Sequence, residues 1–173
     1  VNVSSLNNIK VNQVAIGSCT NSSYVDLMKV ANILDGRTIA EDVSLVISPG
    51  SKQVLNMLAA NGALAKLIAA GARILESACG PCIGMGQSPN TGGVSLRTFN
   101  RNFKGRSGTP SANVYLASPE VAAVSALTGY ITDPVEYLKD VDIRVEMPDR
   151  FLINDNLIIK PAEDGEEVEV IRG

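Results

Sequence analysis

Short apolar runs alternate with capped helices through most of this chain, and that alternation restricts the fold more than any other feature. Residues 11–16, 43–47, 72–76, 94–99 and 113–117 read as strands. Asn21, Ser22 or Ser23 can cap a helix to about Leu34, with Leu27, Val30, Ala31 and Leu34 on one face. Asp35-Gly36 stops it. Pro49-Gly50-Ser51 turns the chain into a helix over 52–60; Asn61-Gly62 breaks it, and a shorter helix follows to Ala70. Ser118-Pro119-Glu120 places Ser at an N-cap and Pro at the first helical position, opening a helix that stops at Gly129. Strand alternating with helix predicts an α/β three-layer sandwich, a mostly parallel sheet covered by helices on both faces.

The composition changes after Asp133-Pro134. Residues 1–133 are expected to form one domain and residues 134–173 a C-terminal arm or linker, charged and broken by short runs such as Phe151-Leu152-Ile153 and Leu157-Ile158-Ile159. The chain starts at Val1 and its last residues, 168–173, read like the start of something further, so a piece of a longer or processed protein is expected.

At 173 residues with 45% apolar content, the main domain can bury a sizeable core. Aromatics make up only 4% and Trp is absent, so that core is aliphatic. A net charge of -3 gives no electrostatic reason to expect a nucleic-acid partner. No apolar run approaches the roughly 20 residues that span a bilayer, and no membrane partner is expected. Three cysteines fit a disulfide framework poorly, which points to a reducing compartment such as the cytoplasm. The chain has no histidine, which excludes Ser-His-Asp and Cys-His catalysis within it, and His-containing zinc sites as well.

All three cysteines fall in turn-rich loops behind strands. Cys19 lies in Gly17-Ser18-Cys19-Thr20-Asn21-Ser22, and the other two in Ala78-Cys79-Gly80-Pro81-Cys82-Ile83-Gly84. In open α/β sheets, sites form at the carboxyl ends of strands, so one sheet edge can gather all three. Three thiolates without imidazole suit an iron–sulfur cluster. A redox dithiol and a structural metal site remain open alternatives. Pro81-Cys82-Ile83-Gly84 is, however, a poor helix opening for the first, and a fourth ligand is missing for the second.

A second polar stretch follows the fourth strand. Asn100-Arg101-Asn102-Phe103-Lys104-Gly105-Arg106 reads either as a solvated basic loop or as a carboxylate clamp, since arginine binds planar carboxylates in bidentate fashion.

Taken in order, these three stretches and Ser118-Pro119-Glu120 resemble the aconitase and isopropylmalate dehydratase superfamily, over residues 11–133. The resemblance is to the third domain of that superfamily's catalytic core. It implies an aconitase-type hydro-lyase that reversibly dehydrates a citrate-like hydroxy acid. Cys19, Cys79 and Cys82 would then ligate a [4Fe-4S] cluster with one labile iron, and Asn100, Arg101 and Arg106 would line the substrate pocket. The substrate would be a tricarboxylic or hydroxy-dicarboxylic acid. The acid–base residues would come from further domains or a partner subunit, and residues 170–173 would begin the linker to a swivelling domain. Gly80-Pro81 between the cysteines is similar to aconitases and homoaconitases, whereas isopropylmalate dehydratases more usually carry serine and methionine there. Aconitate hydratase is the expected activity, with homoaconitase, isopropylmalate dehydratase large subunit or a non-catalytic iron–sulfur module as alternatives. The chain alone is expected to be inactive.

Overall fold

The central strand β1 (Gln13–Gly17) is buried along its whole length, as a parallel strand covered on both faces must be. The computed structural model describes residues 1–156, 158–167 and 169. Around β1 lie β2 (Ser44–Ser48), β3 (Arg73–Ile74), β4 (Val94–Arg97) and β5 (Asn113–Leu116), in the order β3-β2-β1-β4-β5 and all parallel. Successive strand side chains point to opposite faces, and the core divides accordingly. Val14 and Ile16 join Leu45 and Ile47 in the main cluster, while Ala15 and Val46 face the other way and meet Cys82 and Phe99.

The main face is covered by helices. In α1 (Tyr24–Leu34), Leu27, Val30, Ala31 and Leu34 are fully buried, the stripe that the sequence spacing predicts. Its start is a capping box: Ser23 Oγ accepts from the Asp26 amide and the Asp26 carboxylate accepts from the Ser23 amide. Behind it come α2 (Lys52–Ala60), α3 (Ala63–Ala69) and α4 (Pro119–Thr128). In α4 the cap is Ser118 and the left-handed stop is Gly129. Ala122, Ala123, Val124 and Ala126 there are all inaccessible, so α4 is a buried helix rather than an amphipathic one.

The expected α/β fold is present, and its second face has a cover of its own kind. Among the described residues, the connections from β3 to β4 and from β4 to β5 contain one 3-10 turn, Pro81–Ile83, and no α-helix. Glycine and proline recur through both connections and keep them in turns. The strand expected over 72–76 shortens to two residues at the sheet edge. After the Leu75 amide bonds the Ile47 carbonyl, Ser48 Oγ donates to the Glu76 carbonyl and draws the chain off towards the cysteine loop.

Beyond α4 comes only a short helix, α5 (Pro134–Tyr137), and no further helix or strand among the described residues. The segment is anchored all the same. Leu138, Ile143 and Val145 pack on the main core, Asn32 and Gln53 donate to the Arg144 and Leu152 carbonyls, and Phe151 meets Tyr24 edge-on at 6.3 Å. The linker expected over 170–173, and Leu157 of the last apolar run, lie outside the described residues. Among those residues no helix is long and apolar enough to cross a membrane.

Candidate functional site

Because the strands are parallel, β1, β3 and β4 all deliver their following loops to one edge of the sheet. Cys19 follows β1, Cys79 and Cys82 follow β3, and the loop with Asn100, Arg101 and Arg106 follows β4. These six residues line a single cavity of about 350 Å³. Ser18, Thr20 and Phe99 line it too, and the sequence reading missed them. Lys104 is exposed and stays outside the lining, and the Asn102 amide turns back to the Phe99 carbonyl.

The loop that carries Cys19 is held in strained backbone. Ser18 and Asn21 both have positive φ, 98° and 52°, uncommon for residues other than glycine. Three bonds hold it: the Ser18 amide to the Ser48 carbonyl at 2.9 Å, Ser22 Oγ to the Ser18 carbonyl at 2.6 Å, and Asn21 Nδ2 to the Thr98 carbonyl at 2.5 Å. Gly17, at φ +94°, admits no Cβ, which would run into the Ser48 carbonyl. Gly17→Ala is therefore expected to cost about 2 kcal/mol or more, read as a lowered midpoint in thermal or urea unfolding. An unchanged midpoint would show that this turn relaxes freely.

The second loop presents its cysteines unequally. Cys82 is buried at 5% exposure, at the start of a 3-10 turn that ends in left-handed Gly84, while Cys79 and Cys19 are exposed. Cys79 and Cys82 bring their sulfurs side by side, with Cα atoms 6.0 Å apart. A Cys-x-x-Cys turn brings two thiols together whatever the third one does, as both a shared metal site and the redox-dithiol alternative require. Among the described residues, no group of three His, Cys, Asp or Glu residues is gathered to hold a metal ion.

The third loop supplies positive charge. The Arg106 guanidinium lies 5.6 Å from the Phe103 ring centroid. Among the described residues neither Arg101 nor Arg106 pairs with a carboxylate. Arg106 Nε and Thr20 Oγ1 are buried beside the cavity without a hydrogen-bond partner. Buried donors left in that state are costly, and a ligand in the cavity would relieve them. The donor set fits an iron–sulfur cluster: three sulfurs, no imidazole, one cavity, and unpaired polar groups on its wall.

One buried cation escaped the sequence reading altogether. Arg97, the last residue of β4, is 1% exposed, and burial lowers its pKa to about 10. Strand alternation was the available signal, because it puts Arg97 on the face of Ser95, opposite core-facing Leu96.

The profile of the aconitase family (aconitate hydratase) matches residues 2–129. A 3-isopropylmalate dehydratase large subunit from Herpetosiphon aurantiacus is 46% identical over 145 residues, covering 82% of this chain and 34% of that protein. A homoaconitase large subunit from Thermus thermophilus is 48% identical over 128 residues, covering 73% and 31%. For a methanogen homoaconitase large subunit from Methanocaldococcus jannaschii the figures are 43% over 135 residues, 78% and 32%. The chain spans about a third of the length of these curated relatives. With most of its length under that profile, this chain belongs to the aconitase family.

Proposed function

We propose that the protein carrying this chain is an iron–sulfur hydro-lyase that reversibly dehydrates a hydroxy acid bearing two or three carboxylates. The observation that carries the reading is one cavity lined by all three cysteines and by two arginines that, among the described residues, have no acidic partner. Cys19, Cys79 and Cys82 would hold the cluster. A bound [4Fe-4S] cluster with one iron free of protein ligands supplies a Lewis acid for the substrate's hydroxyl and a carboxylate. Arg101 and Arg106 bind and orient the carboxylates, and Asn100 adds a hydrogen bond beside them. The buried Cys82 turn and Phe99 keep water from the floor of the cavity. Proton transfer to and from carbon falls to residues outside this chain, which has no histidine to offer.

Two observations bear on the substrate. Gly80-Pro81 resembles aconitases and homoaconitases, and the relatives described above are named for isopropylmalate and homoaconitate chemistry. A homoaconitase-type activity is the reading that both support, and the narrower expectation of aconitate hydratase has no support in those names. Because those relatives are named as large subunits, a separate small subunit is proposed to supply the swivelling domain, with residues 134–173 as the arm beyond the 1–133 domain. A reducing compartment, the cytoplasm, goes with thiolate ligands.

The test is anaerobic reconstitution of the full-length protein with iron and sulfide, followed by assays with homoaconitate, cis-aconitate and isopropylmalate in the presence of the small subunit. Reversible loss of one iron with turnover supports the reading. A fully ligated cluster that only cycles electrons, or bound zinc without sulfide, would overturn it. In the active enzyme, Arg101→Lys keeps the charge and loses the bidentate fork. Losing a charge-assisted hydrogen bond of about 1.5–3 kcal/mol lowers kcat/KM by roughly ten- to a hundredfold. Steady-state kinetics checks this, and wild-type values would remove Arg101 from the site.

A further inference from the structure

A line of four buried polar side chains runs from β1 through β4 into the loop that follows it. Ser95 Oγ donates to Gln13 Oε1 at 2.5 Å and accepts from Arg97 Nε at 2.8 Å, and Arg97 Nη1 donates to Ser107 Oγ. All four residues are less than 5% exposed. Among the described residues no carboxylate lies within ion-pair distance of Arg97. A buried charge without a counter-ion is costly, and an apolar side chain would fill the space at less expense to the fold. What the guanidinium holds is therefore informative.

Ser107 sits where three parts of the site meet. Its hydroxyl is fastened to the sheet through Arg97. Its carbonyl presses on Gly84, where any Cβ would collide with it, and Gly84 closes the turn that starts at Pro81-Cys82. Its chain neighbour is Arg106, on the cavity wall with an unpaired Nε. Among the described residues the Arg106 amide bonds the nearby Phe103 carbonyl, within its own loop, and the neighbouring Ser107 carries a side-chain tie to the sheet.

We infer that Arg97 is a positioning residue: through Ser107 it holds the Arg106 loop against the Cys82–Gly84 turn and so sets the carboxylate clamp at its working distance from the cysteines. This rests on the reading that Arg106 binds a substrate carboxylate. Even with its pKa lowered to about 10, Arg97 is charged at neutral pH and keeps its donors.

The test uses the full-length holoenzyme with Arg106→Lys, Ser107→Ala, their combination, Arg97→Met and Arg97→Lys. Ser107→Ala is the mild variant, because it removes one hydroxyl. It is expected to raise KM about tenfold with kcat within about twofold, and with iron and sulfide per chain unchanged. The double variant is expected to be no worse than Arg106→Lys alone, because both act on one contact. Arg97→Met should reproduce the KM effect and Arg97→Lys should restore part of it. A readout independent of activity is tryptic cleavage after residue 106 in the cluster-free protein, expected to be several-fold faster in Ser107→Ala and Arg97→Met. Unchanged cleavage, strictly multiplicative KM effects, or a loss of thermal stability and iron with KM unmoved would each overturn the inference. Wild-type KM in Arg106→Lys combined with faster cleavage in Ser107→Ala would overturn the substrate reading instead and leave the loop tie standing.

Discussion

Cys82→Ser in the full-length protein is expected to abolish retention of iron and inorganic sulfide after anaerobic, reductant-treated reconstitution, while the fold survives. The substitution is close to isosteric at a site where Cys82 packs with Ala15, Val46 and Phe99. A serine hydroxyl there lies within reach of the Cys79 carbonyl, 3.2 Å from the present sulfur. Burying a hydroxyl that finds a partner costs little, so the melting temperature should move by only a few degrees. Ligation is a different matter. Iron–sulfur clusters are held by thiolates, and a serine hydroxyl stays protonated at neutral pH. Removing one of three ligands around a cavity that already opens to solvent leaves too few to retain a cluster. The measurement is iron and sulfide per chain together with the visible absorption of the reconstituted protein. A chromophore equal to wild type would take Cys82 out of the ligand set. Loss of folded protein would show instead that its role is packing.

The second large effect concerns the chain by itself. Reconstituted alone, residues 1–173 are expected to show no measurable hydration or dehydration of homoaconitate, cis-aconitate or isopropylmalate. Dehydration needs a base at carbon and an acid at the leaving hydroxyl, each contributing about 10²–10⁴-fold. No histidine is present, and among the described residues no carboxylate lines the cavity. Positioning contributes on the order of 7–11 kcal/mol, and it requires walls that surround the substrate. Here Cys19 is exposed at the rim, and apolar Ile83, Met85 and Phe103 stand exposed in the loops beside it, at 46%, 62% and 60%. Those surfaces are left largely uncovered by the described residues. Adding the rest of the protein should restore activity. Turnover of about 10 s⁻¹ from the isolated chain, a typical enzyme value, would mean that acid–base residues lie within it after all.

Much of this molecule follows from local sequence. The helix over 52–60 falls between Ser51, which caps it, and Asn61-Gly62, which cannot continue it. Ser23 and Ser118 start their helices because a hydroxyl at the N-cap satisfies an amide that would otherwise be orphaned. The parallel run of β1, β2 and β3 follows too, since helical crossovers are long enough to bring each strand back in the same direction, whereas β3, β4 and β5 are joined by connections without an α-helix. The three motif loops were legible because glycine, proline, cysteine, asparagine and arginine collect there for reasons local to each loop.

What tertiary structure alone decided is how those loops meet. Strand order put β1 between β2 and β4, and so brought Cys19 beside a loop about eighty residues further along. Ser18 and Asn21 took up positive φ because bonds from Ser48, Ser22 and Thr98 outweigh a local preference that the sequence does express. The close approach of Cys79 and Cys82 depends on a turn geometry that no cysteine count contains. Arg97 shows the limit most sharply. In sequence it is one cation within a strand expected over 94–99, where exposure is the ordinary outcome for a charged side chain. Only the packing of two loops over the second face of the sheet buries it, and burial without a counter-ion is what ties its guanidinium to Ser107.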